Sequence, residues 1–446
     1  MQERGVSSVT AKKLLTIDES SLPEGWTGST LADVTGYIQR GKGPKYIERS
    51  DLPVINQKCI RWFGIQKEHL KYVDPEQWSS WGEERYVRKG DVLWNSTGTG
   101  TIGRAALVMN LAPGEKYVVD SHVTIVRPRD IDPQYVHYWI MSPSVQGSIE
   151  AMQSGSTNQV ELSKSAVEAL PIPVAPPDQQ KSIVAEIEKQ FSRLDEAVAN
   201  LKRVKVNLKR YKASVLKAAV EGELAPTAEP WKQVVLGDVT TSIRNGYSKK
   251  PDAEHGTRIF RISAVRPMKL DANDVRYLSG TPAAYEPFLV EPGDVLFTRY
   301  NGNRDYVGVC ARVPANLPPT VYPDKLIRVR VPRLMMLPEF LVILASTGRA
   351  REYIESKIRT TAGQSGISGG DLKVLPLDIP RVEEQLQIVA EVERRLSVIE
   401  ELEAAVQANL TRADRLRQSI LSTAFSGRLA VSESVIARRA NNFIAH

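Results

Sequence analysis

The sequence predicts an α+β chain in which two similar mixed α/β domains are each followed by one long helix. Three observations predict it. The sequence repeats at a shift of 205, so that Trp26, Leu31, Asp33, Val34, Ile38 and Gly41 fall on Trp231, Leu236, Asp238, Val239, Ile243 and Gly246. Leu170-Pro171 and Ile183-Val184-Ala185-Glu186 recur as Leu375-Pro376 and Ile388-Val389-Ala390-Glu391. The chain then lacks Gly and Pro from Asp178 to Glu221, and again from Arg381 to Ser426. Before each of these stretches, short β-rich runs alternate with Gly, Pro and Asn. Each copy is too long for a solenoid unit and holds a globular portion of its own.

Taken in order, residues 1–21 carry Lys12 and Lys13 but no signal-peptide core, and are expected to form a loose arm. Residues 22–177 and 226–380 are the two globular portions. Strands are expected at Val118-Val119, Val123 to Val126 and Leu326 to Val331. Glycine-rich turns are expected at Arg40 to Gly43, Ser96 to Gly103 and Asn301 to Asn303. Helices should start near Pro133 and Pro338, with Tyr135 and Phe340 as equivalent apolar anchors. Residues 178–225 and 381–428 form the long helices, ~65 Å each at the usual rise. Prolines mark their starts and glycines their ends. A tail, 429–446, closes the chain.

Apolar residues recur every three or four positions along both helices. The first stripe is Ile187, Phe191, Leu194, Ala197, Leu201, Leu208, Tyr211 and Val215. The second is Val392, Leu396, Ile399, Leu402, Val406, Ala413, Leu416 and Ile420. Sustained over several turns, this is a coiled-coil seam. A single helix cannot bury such a stripe alone, and its own copy is the obvious partner. An antiparallel pair would set Lys202, Arg203 and Lys205 near Glu400, Glu401 and Glu403. It would make a rigid spacer with a globular domain at each end. The alternative is two separate surface helices, each packed on its own domain.

Composition is that of a globular protein: of 446 residues, 42% are hydrophobic and 25% charged, enough for a real core. The net charge of +7 suits a polyanionic partner without requiring one. Cys59 and Cys310 lie at non-equivalent places in the two repeats, which argues against a structural disulfide or zinc site and for a reducing cytoplasm. No apolar run approaches the roughly 20 residues of a membrane span.

No catalytic constellation emerges. Gly98-Thr99-Gly100-Thr101-Ile102-Gly103 matches the dinucleotide fingerprint, but Arg104 to Val108 reads as a strand where that fingerprint needs a helix. Gly36 to Gly43 approaches a phosphate-binding loop, yet Gly43 stands where Ser or Thr would hold Mg²⁺. The Asp/Asn-Pro-Pro-Tyr/Phe motif of amino-methyltransferases is absent. His69, His122, His137, His255 and His446 do not cluster, and packing or surface roles suit them better than metal binding. Neither a cofactor nor a metal site is expected in this chain.

What remains are loops rich in side chains that hold phosphates and read base edges. In the first copy the candidates are Gln39, Arg40, Lys42, Lys45, Tyr46, Arg61, Asn95, Thr97 and Arg104. In the second they are Arg244, Asn245, Tyr247, Lys249, Lys250, Arg299, Tyr300, Asn301, Asn303 and Arg304. Trp26 and Trp231 are duplicated and suit packing. Positions shared between copies, such as Gly90-Asp91-Val92-Leu93 and Gly293-Asp294-Val295-Leu296, are structural, whereas the loops differ. One scaffold with two different reading surfaces is what two different half-sites would require.

In this order and twice over, these motifs resemble the specificity (S) subunits of Type I restriction–modification systems. The resemblance spans about residues 22–430. It rests on Leu-x-Asp-Val at Leu31 to Val34 and Leu236 to Val239, and on Gly90 to Leu93 followed by Gly100-Thr101-Ile102-Gly103-Arg104-Ala105. It also rests on Leu375-Pro376, then Glu384-Gln385 and Ile388-Val389, opening a long helix. Gly308-Val309-Cys310-Ala311 departs from the pattern and puts a general contact role for Arg104 in doubt. The resemblance implies two target recognition domains, each reading half of a split double-stranded DNA site, with the helices setting the gap. It implies docking of two modification subunits that use S-adenosylmethionine, and of restriction subunits that use ATP and Mg²⁺, in the cytoplasm and with no membrane. It implies no chemistry in this chain. A coiled-coil scaffold or adaptor without DNA readout is the alternative.

Overall fold

The computed structural model describes residues 15–98, 100–154, 160–225, 229–361 and 363–429. Most of the expected arm, most of the tail with His446, and Thr99 of the glycine loop lie outside the described residues. The chain divides into two compact units. One runs to Asn200 and resumes at Asn409; the other is Leu201–Ala408.

Each unit is built on a four-stranded antiparallel sheet of the same topology. In the first unit the spatial order is Thr35–Arg40, Val123–Pro128, Val92–Asn95 and Ala105–Leu107. In the second it is Ser242–Asn245, Leu326–Arg330, Val295–Thr298 and Cys310–Arg312. Both units add a smaller sheet around one parallel pair, Val118–Val119 with Pro53–Ile55 and Thr320–Val321 with Thr257–Phe260. A short ribbon ties the start of each repeat to its end, Thr27–Thr30 on Pro171–Val174 and Lys232–Val235 on Pro376–Ile379.

Helices α1 (Pro133–Met141), α2 (Pro143–Met152) and α3 (Lys164–Glu168) complete the first repeat, before the long α4 (Pro177–Val220). Their counterparts are α5 (Pro338–Ser346), α6 (Gly348–Lys357), α7 (Gly369–Lys373) and the long α8 (Val382–Phe425). Helix α1 starts where the sequence predicts, because the Asp132 carboxylate accepts the Gln134 and Tyr135 amides and Pro133 pre-sets the first turn. The anchors Tyr135 and Phe340 are fully buried.

Two repeated fasteners explain why the shared motifs are shared. Asp91 and Asp294 are buried and pair at 2.7 Å with Arg127 and Arg330 of the neighbouring strand. A buried charge needs such a partner, since leaving it alone costs several kcal/mol. Gln180 and Gln385, at the starts of the long helices, accept the backbone amides of Asp132 and Leu337 at 2.9 Å. They also donate to Ala175 and Pro380 carbonyls, which fixes each long helix to the turn that opens α1 or α5.

Within each unit the long helices pack antiparallel. In the first, Ile187 and Phe191 of α4 share a core with Ile420, Leu421, Ala424 and Phe425 of α8. In the second, Val215, Leu216 and Ala219 of α4 join Ile388, Val389 and Val392 of α8. In the first unit Ile187 shares a core with Phe425 while Asp195, further along α4, bonds the earlier Arg417; in the second Lys205 donates to Gln407 at 3.1 Å while Val215, further along α4, joins the earlier Val392.

The seam differs from the sequence expectation in detail. Ile187, Phe191, Leu208, Val215, Val392, Ile399, Val406 and Ile420 are buried, and Leu194, Leu201 and Leu396 are half-buried. Tyr211, Leu402 and Leu416 are instead about half exposed and lie off the seam. Between Ile399 and Ile420 of α8 the buried positions are Ile399, Val406, Ala413 and Ile420, with Glu403, Leu410 and Arg417 half-buried between them. Long polar side chains occupy seam positions because their methylene stems cover apolar surface while the charged ends reach water. The expected charge register shifts too: Lys205 stands opposite Gln407 and not Glu403. Apolar packing sets the register, and exposed pairs worth at most about 1 kcal/mol follow it.

Of the expected loose arm, Leu15 and Ile17 pack against the first unit's core, as Leu22 does just beyond it, and the Asp18 carboxylate caps a short turn at Glu19–Ser21. Trp26 is buried beside Tyr135, and Trp231 packs edge-on to Phe340, so both serve as packing.

Candidate nucleic-acid interface

In the first unit the candidate loops converge at one end of the large sheet. Strand Thr35–Arg40 ends at Gly41, where a Cβ would lie 1.9 Å from the Val119 carbonyl, so only glycine lets the two backbones pass. Arg40 turns back into the protein. Its guanidinium donates twice to the Ser121 carbonyl, at 3.0 and 2.7 Å, and pairs with Glu161 at 2.7 Å. Gln39 accepts from Lys164 at 3.4 Å. Lys42 donates to the Ser80 carbonyl and lies over the Trp81 ring.

Lys45 pairs with Asp74 at 2.7 Å, which raises the lysine's pKa and lowers that of the carboxyl. Tyr46 donates to Asp120 at 3.3 Å beneath the Lys71 ammonium; burial pushes the Asp120 carboxyl upward. Arg61 bonds Gln66 at 2.9 Å.

The glycine loop is a turn, not a cofactor cradle. Thr101 and Ile102 donate to the Gly98 carbonyl, Gly103 donates to Asn95, and strand Ala105–Leu107 follows as the sequence predicts. Asn95 is fully buried. Its amide donates to the Gln57 and Thr101 carbonyls, so it holds the loop from inside and offers no outward face. Arg104 closes the same turn on the Gly100 carbonyl at 2.7 Å. Thr97 meets the His122 Nδ1 at 2.6 Å.

The second unit gathers the equivalent loops. Gly246 makes the same close approach, 2.2 Å from the Tyr322 carbonyl for a Cβ. Arg244 and Asn245 are exposed, with Arg244 over the Phe288 ring. Tyr247 packs edge-on to Tyr285 and Phe288. Lys249 and Lys250 are exposed. Arg299 lies over Tyr300 and donates to the Asp324 carbonyl at 3.4 Å. Strand Tyr300–Asn301 pairs with Gln364–Gly366. Asn303 caps the turn holding Arg304, whose guanidinium donates to the Glu355 carbonyl at the end of α6.

The structure therefore sorts the candidates. Arg40, Asn95 and Arg104 act as internal fasteners, while Arg244, Asn245, Lys249, Lys250, Asn303 and Arg304 are exposed, Arg304 with its guanidinium held on the Glu355 carbonyl. The sequence scan passed over two turns that the fold sets among these loops, Asp120-Ser121-His122 and Pro323-Asp324-Lys325. They hide because Asp120-Ser121-His122 and Pro323-Asp324-Lys325 share no residue in register. Among the described residues no His, Cys, Asp and Glu cluster suits a metal ion. Cys59 and Cys310 are buried and unpaired, and burial pushes the Cys310 thiol up to about 12. No helix among the described residues is long and apolar enough to cross a membrane.

The family model described as Type I restriction modification DNA specificity domain matches residues 23–208. Over 92% of its length the chain is 30% identical to the type I restriction enzyme EcoKI specificity subunit of Escherichia coli (strain K12), covering 90% of that protein. The chain belongs to the family of type I restriction enzyme specificity subunits. The StySPI specificity subunit of Salmonella potsdam is 25% identical, with 93% and 91% of the two chains covered.

Two solved structures share the fold of this specificity subunit. A chain from work on complex assembly and conformational transition of the type I R-M system aligns with TM-score 0.70 at 20% identity, covering 91% of this chain and 99% of that one. The HsdS subunit from Thermoanaerobacter tengcongensis aligns with TM-score 0.55 at 20% identity, covering 91% and 98%. DNA sequence recognition in a type I restriction–modification system is the function of this chain.

Proposed function

We propose that each repeat reads one half of a bipartite DNA target, and that the chain contributes recognition and no chemistry. One observation carries this reading. Two units of the same sheet topology present different side chains on equivalent loops, with Lys45, Tyr46 and Thr97 on one and Arg244, Lys249 and Tyr300 on the other. Exposed lysines such as Lys249 and Lys250 would meet phosphates and give salt-dependent affinity. Donors and acceptors at the loop tips would meet base edges, each discriminating by roughly 1–3 kcal/mol. On this reading two modification subunits supply methyl transfer from S-adenosylmethionine, and restriction subunits supply ATP- and Mg²⁺-dependent cleavage, all in the cytoplasm. Joining two short readings multiplies specificity only when both engage at once.

The experiment is methylome sequencing of a host carrying the modification subunit, with and without this chain. A single bipartite methylated motif that disappears with the chain is expected. An unchanged methylome would overturn the reading and favour a scaffold that binds proteins through its helices.

A further inference from the structure

The two turns missed by the sequence scan share one mount. In the first repeat the turn Asp120-Ser121-His122 links a short strand to the central strand Val123–Pro128. In the second, Pro323-Asp324-Lys325 does the same for Leu326–Arg330. The His122 carbonyl accepts the Ser96 amide at 2.9 Å, and the Lys325 carbonyl accepts the Arg299 amide at 2.8 Å. A guanidinium grips the preceding carbonyl in each, Arg40 on Ser121 and Arg299 on Asp324. The Gly41 and Gly246 amides donate to the first residue of the central strand, at 3.0 and 3.3 Å. Backbone and glycine correspond, while the clamping guanidinium comes from the end of Thr35–Arg40 in one repeat and from the residue after Val295–Thr298 in the other; the side chains carried outward differ.

Both outward side chains are exposed. The His122 amide donates to the buried Asp120 carboxylate at 2.9 Å, and Thr97 holds its Nδ1 at 2.6 Å. Among the described residues its Nε2 has no hydrogen-bond partner, and neither has the Lys325 ammonium. With the Thr97 hydroxyl donating to Nδ1, the neutral ring carries its proton on Nε2; the imidazolium carries one there as well. His122 therefore presents a hydrogen-bond donor outward in both of these states, as Lys325 does. A fixed turn with an unsatisfied donor at its tip is the arrangement that direct readout needs, because the acceptor it meets is set by geometry.

We propose that His122 and Lys325 are corresponding specificity determinants, each donating to an acceptor on the base edge of its own half-site, with guanine O6 or a purine N7 as the chemistry that fits. This rests on the reading of each repeat as a half-site reader. Arg40 and Arg299 then act as positioning residues that hold the turns.

The test uses the full chain assembled with its modification subunit, in three forms: wild type, His122→Ala and Lys325→Ala, each mapped by methylome sequencing. His122→Gln serves as a second variant that keeps a donor. Matching thermal unfolding curves check that the variants fold. The expected result is relaxation of one position in one half of the motif for His122→Ala, and of one position in the other half for Lys325→Ala. Relaxed sites should be methylated to within about tenfold of the parent motif, given the usual strength of one base contact. An unchanged motif, both relaxations in one half, or uniform loss of methylation with the motif intact would each overturn the proposal, the last by assigning these groups to phosphates. A wild-type complex with no bipartite motif would overturn the half-site reading itself, and this assignment with it.

Discussion

At the scale of single residues, burial decides more roles than residue type does. His137 is buried on α1, with Nε2 against the Ala105 carbonyl, and burial lowers its pKa to about 4. Once unfolded, the imidazole titrates near 6.5, so between those values the unfolded chain binds more protons than the folded one. The stability that the neutral ring confers is therefore whole above about pH 6.5 and declines as the pH falls toward 4. Thermal unfolding of the wild type and of His137→Phe should show this, with the variant losing less of its melting temperature between pH 7 and 4.5. Equal slopes would show that the ring is not held neutral. The sequence offered this histidine a packing or a surface role, since the five histidines do not cluster; burial selects packing. The inward turn of Arg40 and the burial of Asn95 were not legible, because both depend on residues far along the chain, Glu161 and Gln57.

At the scale of elements, the long helices were the most legible feature and their register the least. Proline, glycine and apolar spacing marked α4 and α8 closely. Choosing which apolar residues face inward failed at Ala197 and Tyr211 of α4, which are exposed, and at Leu402 and Leu416 of α8, where Glu403 and Arg417 hold seam positions that hydropathy alone does not award to them. Arg417 does so by lying between the Phe63 and Phe191 rings, about 5 Å from each, while pairing with Asp195. The register makes a sharp prediction. Leu402→Lys should change the unfolding free energy of the chain by no more than about 0.5 kcal/mol, as for other exposed substitutions, and leave its melting temperature nearly unchanged. Val406→Lys should cost several kcal/mol by burying an unpaired ammonium. Equal losses from both would place Leu402 back on the seam. Strand order and the small sheets lay beyond the sequence reading, since pairing partners such as Val54 and Val118 are distant in sequence.

At the scale of the whole molecule, duplication was readable from motifs recurring at a shift of 205, or 203 in mid-repeat, and is matched by one sheet topology used twice. The proposed bipartite readout ties gap length to the helices. Removing one turn of four residues from each long helix, at mid-length, should change the number of unread base pairs between half-sites while leaving both half-site sequences intact. Methylome sequencing of that variant checks it. An unchanged gap would remove the helices from any role in spacing.

The first unit's core contains Trp26 and Tyr135 from early in the chain and Leu421, Ala424 and Phe425 from its far end. Phe425 lies 5.0 Å from both Tyr135 and Trp139. The order of synthesis then matters. The N-terminal domain leaves the ribosome hundreds of residues before the segment that seals its core, and until then the apolar faces of α1 and the first turns of α4 remain uncovered. Such long waits between distant contacts slow folding and expose sticky surface. A nonsense change that removes only the last turns of α8 should therefore damage the first domain to be made, and leave a chain that chaperones hold or proteases clear.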